Sequence, residues 1–512
     1  MESQSNSWMN VSLSAAVVSA GSFISRIVGL LRDVLIASLL GAGPIADALI
    51  VAFRIPNLFR KLFAEGSLSS AVTATVTRVR EAEGEARAAS LVRTCFLWTV
   101  GIFSLLLVLA EYGSKTLARV LAPGLSMSSA VFAHADALLQ MSLPYFVCIG
   151  LVALLSGVLH SRKQFNAPAL APLVLNCTLV LGAGIAWLCS LPVAETLCIS
   201  LVLGGVFQVL LQLMSLRDGS LWWGDWKLHD HHAVALGKNV VPTVLSGAVF
   251  QLSVVLVTML ASFQPKGTIA KLYFADRLVQ FPLGLIGVAI GVAVLPALSS
   301  LAVSNDKQKY GEVLSSAVQF TLFLSLPAAV GLYVLAYPVF QLFFERGAFS
   351  ALDAAMASSM LQAFTLGLPA FSMTRPLLSG YYARQNSRIP LLAGGCNLVI
   401  AVFLGALFMQ FWGGAGLAFA VSCGGWVNCI LLYILLRKEG LLAQLSKWNL
   451  VYVLMSLGVG FICWRMLPFG IAGLLSIPVL ALGYIIFLYI GRSPDARLLF
   501  LMVLKKGRNV SN

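Results

Sequence analysis

Apolar runs of about twenty residues recur along the chain, separated by short stretches of turn formers or charges, and runs of that length are candidate membrane-spanning helices. They fall near residues 12–40, 45–79, 91–111, 130–159, 167–190, 194–216, 233–263, 268–303, 313–340, 355–383, 389–411, 414–436, 449–467 and 470–491. The pattern predicts an all-α polytopic membrane protein of about fourteen transmembrane helices. An even count places both ends of the chain on one side.

One stretch departs from the pattern. Between Ser25 and Glu65 the apolar sequence is interrupted by Arg26, Arg32, Asp33, Asp47, Arg54, Arg60, Lys61 and Glu65, on either side of the turn Gly41–Pro44. A cation at a bilayer centre costs about 2.5–3.5 kcal/mol on the insertion scale, so a group of them is expected to line water or a ligand. Asp47, Arg54 and Lys61 lie seven apart, and Arg54, Asn57, Lys61 and Glu65 step by three, four and four, so a helix would collect them into one polar stripe. The expectation is one long helix from Ile45 to about Val79, roughly 50 Å at 1.5 Å per residue. The alternative is a surface loop at Arg54–Glu65. In the preceding segment Arg26, Gly29 and Asp33 share a face, and Arg32 joins it only if the helix bends, which Gly29 would permit.

Composition excludes a soluble globular protein. Hydrophobic residues make up 59% and charged residues 11% of the 512, against about 25% charged in soluble domains, and the mean hydropathy is +0.91. MESQSNSWMNVS at the start has no basic n-region, so the N-terminus reads as retained rather than as a cleaved signal peptide. The nine cysteines are scattered through apolar segments without a CxxC pair and read as small buried hydrophobes. His229, His231 and His232 lie in WWGDWKLHDHH, which reads as a solvated loop in preference to a metal site; no metal and no cofactor are expected. No GxxxxGK[ST] motif is present, so ATP hydrolysis by this chain is not expected.

Assigning alternate connections to one face collects 21 Lys and Arg there, including Arg78, Arg87, Arg162, Lys238, Lys307, Arg388 and Lys505, against 6 on the other. The positive-inside rule then puts both termini in the cytoplasm. Of the 34 basic residues, Arg26, Arg32, Arg54, Arg60, Lys61, Arg277 and Arg375 remain at membrane depth, with Asp33, Asp47, Glu65 and Asp276 as their acidic neighbours. A positive interior calls for an anionic ligand; a cation antiporter would want an acidic one, and a transferase would need an acid or metal cluster that is absent from the pattern. No nucleic-acid partner is expected.

An internal repeat organises the first twelve helices. LLSG occurs at Leu154–Gly157 and Leu377–Gly380, and Gly124 of LAPGLS aligns with Gly347 of ERGAFS at the same offset of 223 residues. Six spans separate the copies, so the repeat is parallel, with two six-helix lobes related by an axis along the membrane normal. The expected division is 1–217, 218–438, and a final segment 439–512 of two helices and a basic tail. The second lobe brings its own charges in AKLYFADRLVQFPLG: Asp276, Arg277 and Gln280, with a buried Asp276–Arg277 ion pair as the alternative reading. Arg375, before Pro376, reads as marking a helix break.

SRIVGLLRD, GAGPIADALIVAFRIPNLFRKLFAEG and YFADRLVQFPLGLIGVAIGVAVLPALS resemble the signature segments of the MurJ (MviN) lipid II flippase family, within the multidrug/oligosaccharidyl-lipid/polysaccharide exporter superfamily. The resemblance implies a flippase that moves the lipid-linked peptidoglycan precursor lipid II across the bacterial cytoplasmic membrane by alternating access, in the service of cell-wall biogenesis and cell shape, with membrane lipids and the cell-wall machinery as further partners. It also implies that Arg32, Arg60 and Arg277 hold the pyrophosphate, Asp33 orients Arg32, and Arg26, Asp47, Asn57 and Glu65 are further functional positions. Forked, bidentate pairing is the chemical reason for Arg over Lys at a phosphate. The candidate substrate-binding set is therefore Arg26, Arg32, Asp33, Asp47, Arg54, Asn57, Arg60, Lys61, Glu65, Asp276, Arg277 and Gln280. Gln280 stands where an acid is often found in the family and Arg54 where Lys is common, and Ala401, four after Asn397, leaves no acid for the sodium site of some members. The last two helices are implied to take the polyprenyl tail. Export of another polyprenyl-pyrophosphate-linked saccharide, or drug/ion antiport on the same fold, are the competing functions.

Overall fold

The computed structural model describes residues 21, 24–64, 67–216, 223–304, 306–442 and 448–466, with 482–486, 488–489, 493 and 495–496. Among these residues the chain is helical, with no strand. Helix α1 covers residues 24–40. There follow α2 Pro44–Phe59, a π-helical turn Arg60–Ala64, α3 Ser67–Glu83, α4 Glu85–Tyr112, α5 Ser114–Leu121, α6 Ser129–Ser142, α7 Tyr145–Ser161, α8 Asn166–Leu188, α9 Val193–Ser215 and α10 His231–Ala261. The remainder is α11 Thr268–Leu283, a second π-helical turn Gly284–Val288, α12 Ala289–Val303, α13 Lys307–Val334, α14 Ala336–Phe343, α15 Ala351–Thr365, α16 Leu368–Tyr382, α17 Arg388–Lys438 and α18 Trp448–Met466.

Eight helices among the described residues are long and apolar enough to cross a membrane, or nine when α15 and α16, bent by 42°, count as one span. The expected fourteen includes spans at 12–40 and 470–491 that lie partly outside the described residues. The expected single helix over 45–79 is instead two helices of 16 and 17 residues with the π turn between them. Helical structure through Arg54–Ala64 rules out the surface loop.

Contacts group the chain into two compact units, Met1–Ala270 with Phe344–Ser350, and Lys271–Phe343 with Ala351–Asn512. The expected lobe boundary at 217/218 and the tail 497–512 lie outside the described residues. In the first unit α7 packs against α3, α4 and α9, α2 lies on α6, and α8 pairs with α9. In the second, α12, α13, α16 and α17 share a core that includes Leu298, Leu314, Leu377, Leu432 and Leu436. Helix α18 packs on α13 in a separate cluster, where the ring of Tyr452 meets Phe323 edge-on at 5.2 Å.

Local chemistry explains the irregular points. Pro56 lies inside α2 and has no N–H for the carbonyl of Ala52 four residues earlier. Ser142 at the end of α6 donates its hydroxyl to that oxygen at 3.2 Å, so the carbonyl is served by a neighbouring helix, as apolar surroundings require. Phe59 stacks on Phe146 at 4.3 Å, and Phe63 meets Phe103 at 5.1 Å, which fixes the aromatic face of the first π turn against α7 and α4. Helix α16 runs unbroken through Arg375 and Pro376, correcting the expected break there. Gly287 and Gly291 let the π turn and α12 lie against Ser372 and Arg375, where a Cβ on Gly287 would sit 2.8 Å from the Cα of Ser372. The bend falls earlier, at Leu366–Gly367.

The repeat goes deeper than its sequence matches. Both copies run helix, π turn, helix: α2, Arg60–Ala64, α3 in the first and α11, Gly284–Val288, α12 in the second. The helical hairpin α8–α9 turns at Ser190 with φ 53°, and 223 residues later α17 is divided at Gly413 with φ 55°. The two LLSG glycines play one role, their carbonyls accepting a hydroxyl from a neighbouring helix: Thr73 donates to Gly157 at 3.1 Å, and Tyr310 to Gly380. Gly124 and Gly347 are likewise matched. Gly124 closes on Ser262 at the end of α10, its N–H donating to the Ser262 hydroxyl at 2.9 Å. Gly347 closes on Ser38 of α1, where the next residue, Ala348, donates its N–H to the Ser38 carbonyl at 2.7 Å.

Candidate functional site

Arg32 of α1 is half-buried and tied to its neighbours. Arg32 donates from Nε (3.0 Å) and Nη2 (2.7 Å) to Oδ1 of Asp33, and from Nη1 to Oδ1 of Asn176 on α8 at 2.8 Å. Asp33 is 1% exposed. Asn176 is held in turn, its Nδ2 donating to the Ser25 carbonyl at 3.0 Å and the Ser25 hydroxyl at 3.2 Å. Removing one partner from a buried pair leaves an uncompensated charge, at a cost of about 3–5 kcal/mol, so the chain of contacts fixes the guanidinium plane. Gly29 makes the approach of α8 workable: a Cβ there would lie 3.3 Å from Nδ2 of Asn176. Helical structure continues through residues 24–40. Arg26 lies six residues, nearly two turns, earlier on the same helix and is exposed.

Asp47 serves backbone. It is 2% exposed, and its carboxylate accepts from the N–H of Gly267 at 2.6 Å and of Ala270 at 2.8 Å, at the start of α11. The negative charge thus sits on the positive end of a helix and satisfies two of its orphan donors. Ala270 is also 223 residues after Asp47, so the repeat meets its own counterpart here.

Arg54, Asn57 and Arg60 are half-buried and Lys61 is exposed, with the Nε atoms of Arg54 and Arg60 shielded from solvent. Arg60 and Lys61 open the first π turn, next to the stacked Phe59 and Phe63. Extra-wide turns of this kind occur mostly as single insertions in α-helices, frequently at functional sites. Glu65 lies outside the described residues.

In the second unit Arg277 occupies the position 223 residues after Arg54. Its guanidinium lies over the Tyr273 ring at 4.8 Å and donates from Nη2 to the Tyr273 hydroxyl at 2.9 Å. Asp276 accepts from Nε2 of Gln280 at 3.3 Å. The structure brings Arg32 and Asp33 together, places Arg54, Asn57, Arg60 and Lys61 on consecutive turns, and groups Arg277 with Tyr273. The pattern reading missed Asn176 and Tyr273; a lone Asn within the apolar run 167–190 was the available signal for the first.

A second polar cluster lies at the N-terminus of α10. Asp230 caps that helix, accepting from His232 N–H at 2.8 Å, and forms an ion pair with Arg87. Burial pushes the Asp230 carboxyl up, and the hydrogen bonds and charge of Arg87 with the two capping amides outweigh it, so the group is held below the usual carboxylate range.

A helical membrane protein with a repeated helix, π turn, helix element and arginines inside its helices has the architecture of a membrane transporter. Comparison with known proteins agrees at the level of fold: an inward-facing multidrug-resistance MATE family transporter of the MOP superfamily superposes with a TM-score of 0.72 over 83% of this chain and 98% of its own, at 14% identity. The chain belongs to the MurJ lipid II flippase family, whose family model matches residues 36–477. The lipid II flippase MurJ of Burkholderia cenocepacia is 32% identical, covering 87% of each chain. The probable lipid II flippase MurJ of Vibrio cholerae is 33% identical over 88% of this chain and 89% of its own. A solved structure of lipid II flippase MurJ in an inward closed conformation matches with a TM-score of 0.80 at 26% identity, over 93% of this chain and 99% of that one.

Proposed function

We propose that this chain is a flippase, a transporter rather than an enzyme, that carries lipid II from the inner to the outer leaflet of the bacterial cytoplasmic membrane by alternating access, with both termini in the cytoplasm. The observation that carries the reading is the held fork of Arg32 inside an apolar helix, followed by Arg54, Arg60 and Lys61 on the next. A planar guanidinium oriented by Asp33 and Asn176 is suited to forked pairing with two oxygens of an anion such as a pyrophosphate. Arg277, held by Tyr273, supplies the matching group in the second repeat. The candidate substrate-binding set remains Arg26, Arg32, Asp33, Asp47, Arg54, Asn57, Arg60, Lys61, Glu65, Asp276, Arg277 and Gln280, with Asp33 and Asp47 in supporting roles through the groups they hold.

The test separates charge from geometry. Arg32→Lys, Arg60→Lys and Arg277→Lys keep the charge and lose the fork, whose charge-assisted hydrogen bonds are worth about 1.5–3 kcal/mol each. Each is expected to weaken lipid II binding about ten- to a hundredfold, with Arg119→Lys unchanged, measured with purified protein reconstituted with fluorescent lipid II. Lysine variants that flip at the parental rate would reduce the site to bare charge. Alanine variants that still complement loss of the native flippase would move the substrate site elsewhere.

A further inference from the structure

The residues around the start of α10 form a polar cluster outside the candidate substrate-binding set. The segment before it is strapped to α4 by four side chains: Arg93 donates to the carbonyls of Trp223 (3.0 Å) and Asp225 (3.2 Å), Thr94 to Lys227 (2.9 Å), Trp98 to Leu228 (2.8 Å), and Arg87 pairs with Asp230. The strap ends at His231 and His232, whose rings lie 3.9 Å apart at 40°. Glu83, the last residue of α3, meets them: its Oε1 lies 2.7 Å from Nε2 of His232. One ligand atom from each of Glu83, His231 and His232 lies within 4.8 Å of the others.

We propose that Glu83, His231 and His232 bind a divalent transition-metal ion, Zn²⁺ by preference, which cross-links the C-terminal end of α3 to the N-terminal end of α10. Two imidazoles and one carboxylate are a donor set for zinc and its transition-metal neighbours, whereas Mg²⁺ and Ca²⁺ want oxygen throughout. A tetrahedral ion with bonds of about 2.0–2.1 Å holds its ligand atoms roughly 3.3 Å apart, a spacing that lies between the 2.7 Å contact of His232 with Glu83 and the 4.8 Å limit of the group. Solvent-facing side chains can cover that difference by rotation, and water fills the fourth position. On binding, Nε2 of His232 would offer its lone pair to the ion with the ring proton held on Nδ1, and the ion would replace the direct hydrogen bond to Glu83. The outer partners are already in position. Arg87 donates to Glu83 at 3.3 Å as well as to Asp230, so the carboxylate that would face the ion is oriented, and Asp230 fixes the helix turn that presents both histidines.

The experiment uses the full chain without a polyhistidine tag, in detergent, titrated with ZnCl₂ against a chromophoric chelator, with Co²⁺ absorbance as a second readout. One Zn²⁺ per chain is expected, with no response to Mg²⁺ and a tetrahedral Co²⁺ band. Glu83→Gln, His231→Gln and His232→Gln should each weaken Zn²⁺ binding about a hundredfold, the upper end of what outer-shell partners alone cost, while His229→Gln leaves it unchanged. His231 is exposed, so His231→Gln keeps the fold and remains informative if His232→Gln disturbs the helix start. Absence of Zn²⁺ binding, or binding retained in the His231→Gln/His232→Gln double variant, overturns the proposal. So does loss of binding on replacement of His134, which faces Glu195 at 3.6 Å elsewhere in the unit.

Discussion

Asp47 shows how far a residue's type can be from its task. An acid at membrane depth beside several arginines reads as part of a charged lining, yet its two oxygens are given to the amides of Gly267 and Ala270. Asp47→Asn would turn an amide donor towards one of those N–H groups and leave it unserved, a loss of about 1–3 kcal/mol. The expected outcome is a lower melting temperature in detergent together with reduced flipping; an unchanged melting temperature would show that those amides find other acceptors. Asn176 makes the complementary case. Asn176→Leu removes one acceptor from Arg32 and both donor contacts to Ser25, and is expected to reduce lipid II affinity by about tenfold through a loosened guanidinium. If binding is parental in the same reconstituted assay, Asp33 alone suffices to hold Arg32.

Elements in this chain are shaped where helical regularity is interrupted. Pro56, the two π turns and Gly413 each alter a helix at a defined point, and neighbours absorb the consequence, as Ser142 does for the Ala52 carbonyl. Gly347 is the sharpest of these positions. It has φ 61°, and a Cβ would fall 2.2 Å from the carbonyl oxygen of Ser38. Gly347→Ala must meet both the left-handed backbone cost of about 1–2 kcal/mol and a backbone collision. Gly101→Ala in the middle of α4, with nothing within 4 Å, should instead be neutral or stabilising by up to about 1 kcal/mol. Melting temperatures of the two variants in one detergent check the contrast; equal values would mean that the Gly347 turn can open without loss.

Across the whole molecule, the repeat ties chemistry to membrane orientation. Counterpart positions recur at 223 residues in a turn, a hydroxyl-accepting glycine and a cation, which is what a duplicated bundle leaves behind when its sequence has drifted but its helix contacts have not. Orientation follows from charge. Reporter fusions after Arg87, Arg162, Lys238, Lys307, Arg388 and Arg508 are all expected to report cytoplasm. An external signal at Arg87 would reverse the path of α2 and α3 and place the strap at the start of α10 outside the cell.

Periodicity and composition alone determined that this is a helical membrane protein with a parallel repeat, because apolar length and a fixed offset are properties of the chain read in one dimension. The cations themselves were legible for the same reason: an arginine in an apolar run costs too much at membrane depth to persist there without a group to serve. What only the tertiary structure decided is which group each charge serves. Nothing in the order of residues connects Asp47 to Gly267, Arg32 to Asn176, or Glu83 to His231 and His232, since these pairs are separated by more than a hundred positions and meet through helix packing. The π turn at Arg60–Ala64 was hidden as well, because one extra residue in a helix leaves the apolar pattern almost unchanged while it re-aims every side chain beyond it.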